Sequence, residues 1–180
     1  MRKLHKRITD LGVIFNLLDT CHVGRLGTIS SDGWPMIKPL NFARDGWSLY
    51  FHCAVEGEKL DDIQRDSRVC FEVDLPIAYV KGAPENPCRA KYLYRSVIIR
   101  GRATKVEDRA EKILALDCLM RKFQPGVTFA GYSDDKLDIT GIVRIDIEDL
   151  SGKEDLGKDG LRKQALRALV DSGPLPVVQE

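Results

Sequence analysis

The connections between three successive apolar runs constrain the fold of this chain more than any other feature. The runs cover residues 22–30, 35–44 and 47–53. The first two are joined through SSDGW and the next two through RDG, and Asp-Gly is typical of a tight hairpin turn. A parallel pair of strands needs a crossover of a dozen or more residues, so these short turns predict an antiparallel meander.

Three further runs have the composition of strands, and they cover residues 68–76, 92–107 and 141–150. In the last run Val143, Ile145 and Ile147 alternate with charged residues, as in a half-buried strand. Gly101 predicts a bulge or a close backbone approach in the second. Six strands with hairpin connections would leave apolar edges bare unless the sheet closed, so we predict a mainly β fold with lateral helices, closed into a small barrel.

Three stretches have helical spacing, at residues 8–20, 56–66 and 108–123. Thr9 or Asp10 is expected to cap the first helix, and Asp108 the third. In the third, the predicted apolar stripe consists of Ile113, Leu116, Met120 and Phe123. A last helix begins near Gly160 and is followed by a proline-interrupted extension, so we divide the chain into a barrel domain, 1–155, and a C-terminal helix and extension, 156–180.

Composition limits the classes of partner. The 180 residues carry 28 Lys and Arg against 27 Asp and Glu, so no global field favours a nucleic acid or an anionic membrane. No apolar run approaches the 18 or so residues that a membrane span requires. The five cysteines are widely spaced without a C-x-x-C pair, which indicates a reducing compartment, and we expect a cytoplasmic protein. Cys70 and Cys118 lie in apolar patterns and are predicted to be core thiols.

The segment HCAVEGEK, residues 52–59, is the strongest candidate site in the sequence. Strand alternation places the His52 side chain on the face opposite that of Cys53. The end of this strand is therefore expected to contact a polar group. Gly57 frees the backbone where the chain enters the next helix, whose first N–H groups have no intrahelical partner. With Lys59 as a point charge, this turn could hold a phosphate.

Other interpretations of the same residues stay open. Gly57 could be a simple turn glycine, with Asp62 forming solvated helix pairs with Glu58 or Lys59. Cys21-His22 and His52-Cys53 could supply a metal site, although adjacent residues of a strand point to opposite faces, so we predict no metal. The aromatic and basic residues of 91–102 are compatible with single-stranded nucleic acid, a minor reading at this net charge.

Three segments in order, DGWPMIKPLNF, LYFHCAVEGEKLDDI and YRSVIIRGRA, together resemble the FMN-binding split-barrel family related to pyridoxamine 5′-phosphate oxidase. Within it they are most similar to the nitroimidazole-resistance and flavin-nucleotide-binding branch. The resemblance covers about residues 9–108, with weaker support from IVRIDIEDLSGK. It implies a six-stranded antiparallel split barrel that forms a homodimer with FMN between the subunits.

The resemblance also implies roles for particular residues. The strand of Lys38, Pro39, Leu40, Asn41 and Phe42 would lie along the isoalloxazine edge, mainly through backbone groups. His52, Cys53 and Ala54 would border the ring and ribityl chain, Lys59 would hold the phosphate, and Arg95 and Ser96 would reach the flavin from the fifth strand. Family members usually have arginine where this chain has Glu58, and serine or glycine at Cys53. Lys38 is also unusual, and we hypothesise that it supplies the missing positive charge.

The implied function is that of an FMN-dependent oxidoreductase with NADH or NADPH as a candidate donor. His52 is the candidate catalytic residue, because a histidine side chain exchanges protons near neutrality. It could equally be a hydrogen-bonded residue at a strand end. The alternative is a non-catalytic flavin- or haem-binding module, and a third reading is an interaction protein that has lost its cofactor.

Overall fold

The computed structural model describes residues 4–171 of the chain. The strands are β1 (Arg7–Ile8), β2 (Val23–Ile29), β3 (Pro35–Asn41), β4 (Ala43–Asp45), β5 (Ser48–Cys53), β6 (Arg68–Val80), β7 (Lys91–Lys105) and β8 (Gly141–Asp155). The α-helices are α1 (Leu11–Thr20), α2 (Glu58–Arg65), α3 (Arg109–Phe123), α4 (Asp134–Asp138) and α5 (Asp159–Asp171). The predicted extension beyond residue 171 lies outside the described residues.

All strands belong to one antiparallel sheet in the order β3-β2-β6-β7-β8-β5-β4, with β1 paired to β8. The sheet curls so that β3 and β5 come close to each other. The mainly β fold with lateral helices is confirmed. The predicted count of six strands is too low, because the run 35–44 breaks at Phe42 into β3 and β4 and because β1, with two residues, is too short for a periodic signal.

The inner face of the curled sheet forms the main core. Phe42 packs edge-on against Phe71 with 4.9 Å between ring centroids. The fully buried side chains that β5, β6 and β7 contribute to this core are Leu49, Phe51, Phe71, Val73, Val97 and Ile99. On the outer face, α3 covers Tyr50 and Ile142. At the far end of the sheet, Ala165 of α5 packs on Leu93 and Leu156.

The helix caps follow the sequence closely. The Asp10 carboxylate accepts a hydrogen bond from the Gly12 amide at 2.8 Å, and the Asp108 carboxylate accepts one from the Glu111 amide at 2.8 Å.

The predicted apolar stripe of α3 is displaced, because the most buried residues of this helix are Ala115, Cys118 and Leu119. The four predicted residues, Ile113, Leu116, Met120 and Phe123, are half-buried at the margins of this contact. Small Ala115 lets α3 approach the sheet closely, which turns the larger side chains toward the flanks.

The two cysteines predicted as core thiols differ. Cys118 is buried, as predicted, whereas Cys70 is exposed and that prediction is wrong. Cys70 lies between Val69 and Phe71, which point into the barrel, so the alternation of β6 turns its thiol outward. All five cysteines are unpaired.

Gly101 has both features that the sequence indicated. The register of β7 against β8 shifts between Arg100 and Gly101, which is a β-bulge. A Cβ at Gly101 would overlap the carbonyl oxygen of Asp146 in β8. The close approach therefore depends on the absence of a side chain.

We expect Gly101→Ala to lower the free energy of unfolding by about 1–3 kcal/mol, because the added methyl group would force the β7 and β8 backbones apart. Urea denaturation monitored by circular dichroism measures the loss. Gly160→Ala is the control, because its Cβ would enter open space in α5, where alanine favours the helix. Equal stabilities of the two variants would contradict this account of the bulge.

Candidate functional site

The free edge of β3 carries backbone groups that no described strand satisfies. The Ser30 amide donates to the Trp34 carbonyl at 2.8 Å, and in an antiparallel pair the N–H and C=O of one residue point to the same side. The even-numbered residues of β3 therefore pair with β2, and the odd-numbered ones direct their backbone groups outward. Pro35 and Pro39 fit this arrangement, because proline has no N–H for a ladder. The open edge thus offers backbone groups of Ile37, Pro39 and Asn41.

The end of β5 faces this edge with one open residue of its own. The Ile147 amide donates to the Trp47 carbonyl at 3.0 Å, so the odd-numbered residues of β5 direct their backbone groups at β8. On its other side β5 pairs with β4 only as far as Tyr50. The N–H and C=O of His52 consequently point into the gap between β5 and β3. We call this gap the seam, bounded by Ile37–Asn41 and His52, and no ladder crosses it among the described residues.

The predicted alternation of β5 is confirmed. Leu49 and Phe51 are buried in the barrel core, Tyr50 is covered by α3 on the outer face, and the His52 side chain is exposed on that outer face. Phe42, a predicted cofactor residue, has a fully buried side chain in the core. Only its backbone could therefore reach a ligand in the seam.

Helix α2 is fixed to the sheet by a buried carboxylate, that of Asp62, which is 2 % exposed. It accepts hydrogen bonds from Thr28 Oγ1 at 2.8 Å, Arg65 Nη2 at 2.9 Å and Lys38 Nζ at 3.1 Å. Burial acts to raise the pKa of Asp62, but the hydrogen bonds from Arg65, Thr28 and Lys38 outweigh it and lower that pKa. The alternative interpretation, in which Asp62 forms a solvated helix pair, is therefore wrong, because the helix face of Asp62 meets β2 and β3 rather than water.

Lys38 connects α2 to the inner side of β3. Its ammonium lies 3.1 Å from Asp62 Oδ2, 3.3 Å from Thr28 Oγ1 and 3.3 Å from Glu58 Oε2, and its side chain is 18 % exposed. Two carboxylates thus already accompany the charge that we hypothesised for a phosphate. Sequence patterns missed this network because Thr28, Lys38 and Asp62 lie on three separate elements.

The start of α2 lies next to the seam. Gly57 has φ of 135°, a conformation that favours glycine, and no side chain caps the helix there. Lys59 is half-buried with its Nζ 5.9 Å from the centre of the Phe51 ring, and no carboxylate lies within ion-pair distance of it in residues 4–171. The amides of Leu60 and Asp61 donate to the Gly57 carbonyl, so the Glu58 and Lys59 amides and the Lys59 ammonium remain available to an anion.

Cys53 and Ala54 complete the end of β5. Burial raises the pKa of the Cys53 thiol, while the positive charges of Lys59 and Lys105 act to lower it. Ala54 is exposed, and its carbonyl oxygen lies so close to Gly141 that a Cβ there would overlap it. This contact sets the direction in which the chain leaves β5 toward α2.

Arg95 and Ser96 are not brought to this place. Gly141 of β8 pairs with Cys53, whereas Lys153, 12 positions further along β8, pairs with Ser96. This stretch spans roughly 40 Å at about 3.3 Å per residue. The Arg95 side chain donates to Glu154 at 3.1 Å, and Ser96 lines an outer cleft of about 280 Å³ with Lys153. Within one chain these two residues are separate from the seam.

A second cleft, of about 550 Å³, was not predicted. It lies along the other flank of α2, between Val55, Gln64 and the Ala103–Lys105 end of β7.

No helix in the described part of the chain is both long and apolar enough to cross a membrane. Nor do the residues 4–171 contain a group of three or more His, Cys, Asp or Glu side chains placed to hold a metal ion.

Comparison with known proteins identifies the family. The family model described as pyridoxamine 5′-phosphate oxidase matches residues 11–154, and the chain therefore belongs to the pyridoxamine 5′-phosphate oxidase family. No curated protein matches the chain.

Solved structures show the same fold. A candidate 5-nitroimidazole antibiotic resistance protein from Bacteroides thetaiotaomicron is 27 % identical, with 82 % of this chain and 86 % of that one covered and a TM-score of 0.73. The flavocytochrome Anf3 from Azotobacter vinelandii is 19 % identical over 100 % of this chain and 85 % of its own, with a TM-score of 0.78. An FAD and haem binding protein from Mycobacterium smegmatis is 22 % identical over 93 % and 80 %, with a TM-score of 0.77.

We expect Asp62→Asn to destabilise the protein by about 2 kcal/mol at pH 7, because it leaves Lys38 and Arg65 without their shared carboxylate. The loss stays below that of a fully buried ion pair because the Arg65 side chain is 40 % exposed and water can solvate its charge. Since the pKa of Asp62 is lowered by folding, its ionised form stabilises the protein fully above about pH 5, and this contribution disappears as the pH falls.

Urea unfolding at pH 7 and pH 3 tests both expectations. The stability of the variant should fall less between these pH values than that of the wild type. Asp61→Asn is the control, since Asp61 is the exposed neighbour on the same helix and carries the same charge. Equal losses in the two variants would show that the network does not hold α2.

Proposed function

We propose that the protein binds FMN in the seam, with the phosphate at the start of α2. The observation that carries this proposal is the combination of an open backbone edge, an uncapped helix start and the Lys59 ammonium at one place. An isoalloxazine ring presents N–H and C=O groups along its edge, which match the free backbone groups of Pro39, Asn41 and His52. The family to which the chain belongs supports the choice of a flavin mononucleotide.

The fit between these residues and a flavin is chemical as well as geometric. Pro39 keeps a free carbonyl acceptor on the edge, and Asn41 and His52 offer an acceptor and an N–H donor each. The Asn41 side chain donates to the His22 carbonyl at 3.1 Å, which fixes the end of the edge strand. A preorganised edge of this kind orients a planar ligand without a large ordering cost.

We further propose that the functional unit is a homodimer. Arg95 and Ser96, which the family resemblance assigns to the flavin, lie far along β8 from Cys53 in one chain. A second copy could present its Ser96 face to the seam of the first, which would reconcile the two groups of residues. The outer cleft around Ser96 and Lys153 gives that face the concave shape such a contact needs.

The proposed activity is an FMN-dependent oxidation–reduction of a small molecule, with NADH or NADPH as donor. When bound, FMN supplies the hydride or electron transfer. His52 stands at the seam with an exposed side chain, where it can contact a substrate and hold or release a proton at a ring nitrogen. The backbone groups of His52, which point into the seam, would orient the isoalloxazine ring of the flavin.

The visible spectrum of the purified protein tests the proposal. We expect a yellow protein whose flavin absorbance bleaches when NADH or NADPH is added without oxygen. Yellow protein that is inert to both donors and to nitroaromatic acceptors would favour a non-catalytic flavin-binding module. A haem band would indicate haem binding, and colourless protein that ignores added FMN would refute the proposal.

Lys59→Met tests the position of the phosphate. We expect its dissociation constant for FMN to rise about tenfold or more, since it loses a charge-assisted contact, while that for riboflavin stays nearly constant. Quenching of flavin fluorescence measures both constants. Lys163→Met, at an exposed position of α5, controls for the change in net charge. A parallel loss of both flavins in Lys59→Met would place the phosphate elsewhere.

A further inference from the structure

The ammonium of Lys38 holds two carboxylates that differ sharply in exposure. Asp62 Oδ2 lies 3.1 Å from Lys38 Nζ and Glu58 Oε2 lies 3.3 Å from it. The Asp62 side chain is 2 % exposed, whereas that of Glu58 is 60 % exposed. The two acids are one turn apart on α2, so both can reach the same ammonium.

The two carboxylates are also held differently. Asp62 has additional hydrogen bonds from Thr28 and Arg65, so it remains in place without Lys38. Glu58 has no partner other than Lys38 within residues 4–171. An exposed ion pair of this type contributes little to stability, so Glu58 can swing into water and leave one donor of Lys38 free.

Two ammonium groups lie at the start of α2, one from β3 and one from the first turn of the helix itself. Lys38 extends from β3 to Glu58, and Lys59 lies over Phe51 of β5. An anion bound near the first turn of α2 would compete with the Glu58 carboxylate for the Lys38 ammonium. Without that carboxylate, the anion would gain the freed donor of Lys38 in addition to Lys59.

We propose that Glu58 is a built-in competitor for the phosphate of the bound flavin and thereby sets the preference between phosphorylated and unphosphorylated flavins. This inference rests on the proposed flavin-binding function. FMN carries a phosphate dianion, whereas riboflavin ends in a neutral hydroxyl group. Glu58 therefore weakens the binding of FMN and leaves that of riboflavin unchanged.

Glu58→Gln tests this role, because it removes the charge and keeps the size of an exposed side chain. Fluorescence titration of the flavin-free protein with FMN and with riboflavin gives the two dissociation constants. We expect the FMN constant to fall about tenfold and the riboflavin constant to change less than about twofold. Asp61→Asn is the matched control, an equal charge change at the exposed position three residues further along α2, and should leave both constants within about twofold. Circular dichroism confirms that each variant is folded.

The outcomes separate this inference from the proposed function. If both flavins bind but Glu58→Gln leaves the FMN constant unchanged, the competitor role is wrong and the flavin site stands. If Asp61→Asn tightens FMN as much as Glu58→Gln does, the effect is long-range charge and the specific role of Glu58 is refuted. If neither flavin binds to any variant, the proposed function fails and this inference fails with it.

Discussion

The hydrogen-bonded carboxylate of Asp62 is the interaction on which the candidate site depends. It joins α2 to β2 through Thr28 and to β3 through Lys38, so it fixes where the first turn of α2 lies relative to the seam. A buried carboxylate is costly unless it is fully paired, and here three donors satisfy it. The position of Lys59 and of the free helix amides follows from this anchor.

The seam is the second constraint, and it follows from the way the sheet curls. Covering the apolar inner face brings β3 beside β5, but β4 pairs with β5 only as far as Tyr50 and β3 offers Pro35 and Pro39 at its edge. Prolines at these positions discourage a further strand from pairing there. The barrel therefore stays split, with unsatisfied backbone groups at the place where α2 begins. A planar ligand with donors and acceptors on its rim suits such a gap.

Positive and negative side chains lie close together at the start of α2 and largely offset each other. Two lysines reach the start of α2, but Lys38 is accompanied by Asp62 and Glu58. The net positive charge offered to an anion is therefore small, and it changes with the position of one exposed side chain. This balance is specific to the residues of this chain and does not follow from the fold, which relatives of low identity share. The two carboxylates that contact the Lys38 ammonium therefore have different roles. Asp62 contributes to the stability of the fold, and Glu58 is the one that we propose modulates ligand affinity.

Local features of the sequence determined the elements of this protein. Asp-Gly turns specified the hairpins, and Asp10 and Asp108 marked two helix starts, because each of these depends on neighbours in the chain. Gly101 marked the bulge because a glycine inside a strand run is itself a signal of close backbone approach, although the strand it approaches, β8, is remote in the chain. The family resemblance of the three separated segments was likewise a property of the sequence.

Only the tertiary structure decided which face of α3 is buried, that Asp62 is an anchor rather than a solvated residue, and that Arg95 and Ser96 lie away from the seam. Each of these depends on the distance between elements remote in the chain. The sequence around an aspartate such as Asp62 does not indicate whether its carboxylate contacts water or the side chains of two strands. Only the packing of α2 on the sheet distinguishes a solvated carboxylate from a buried one.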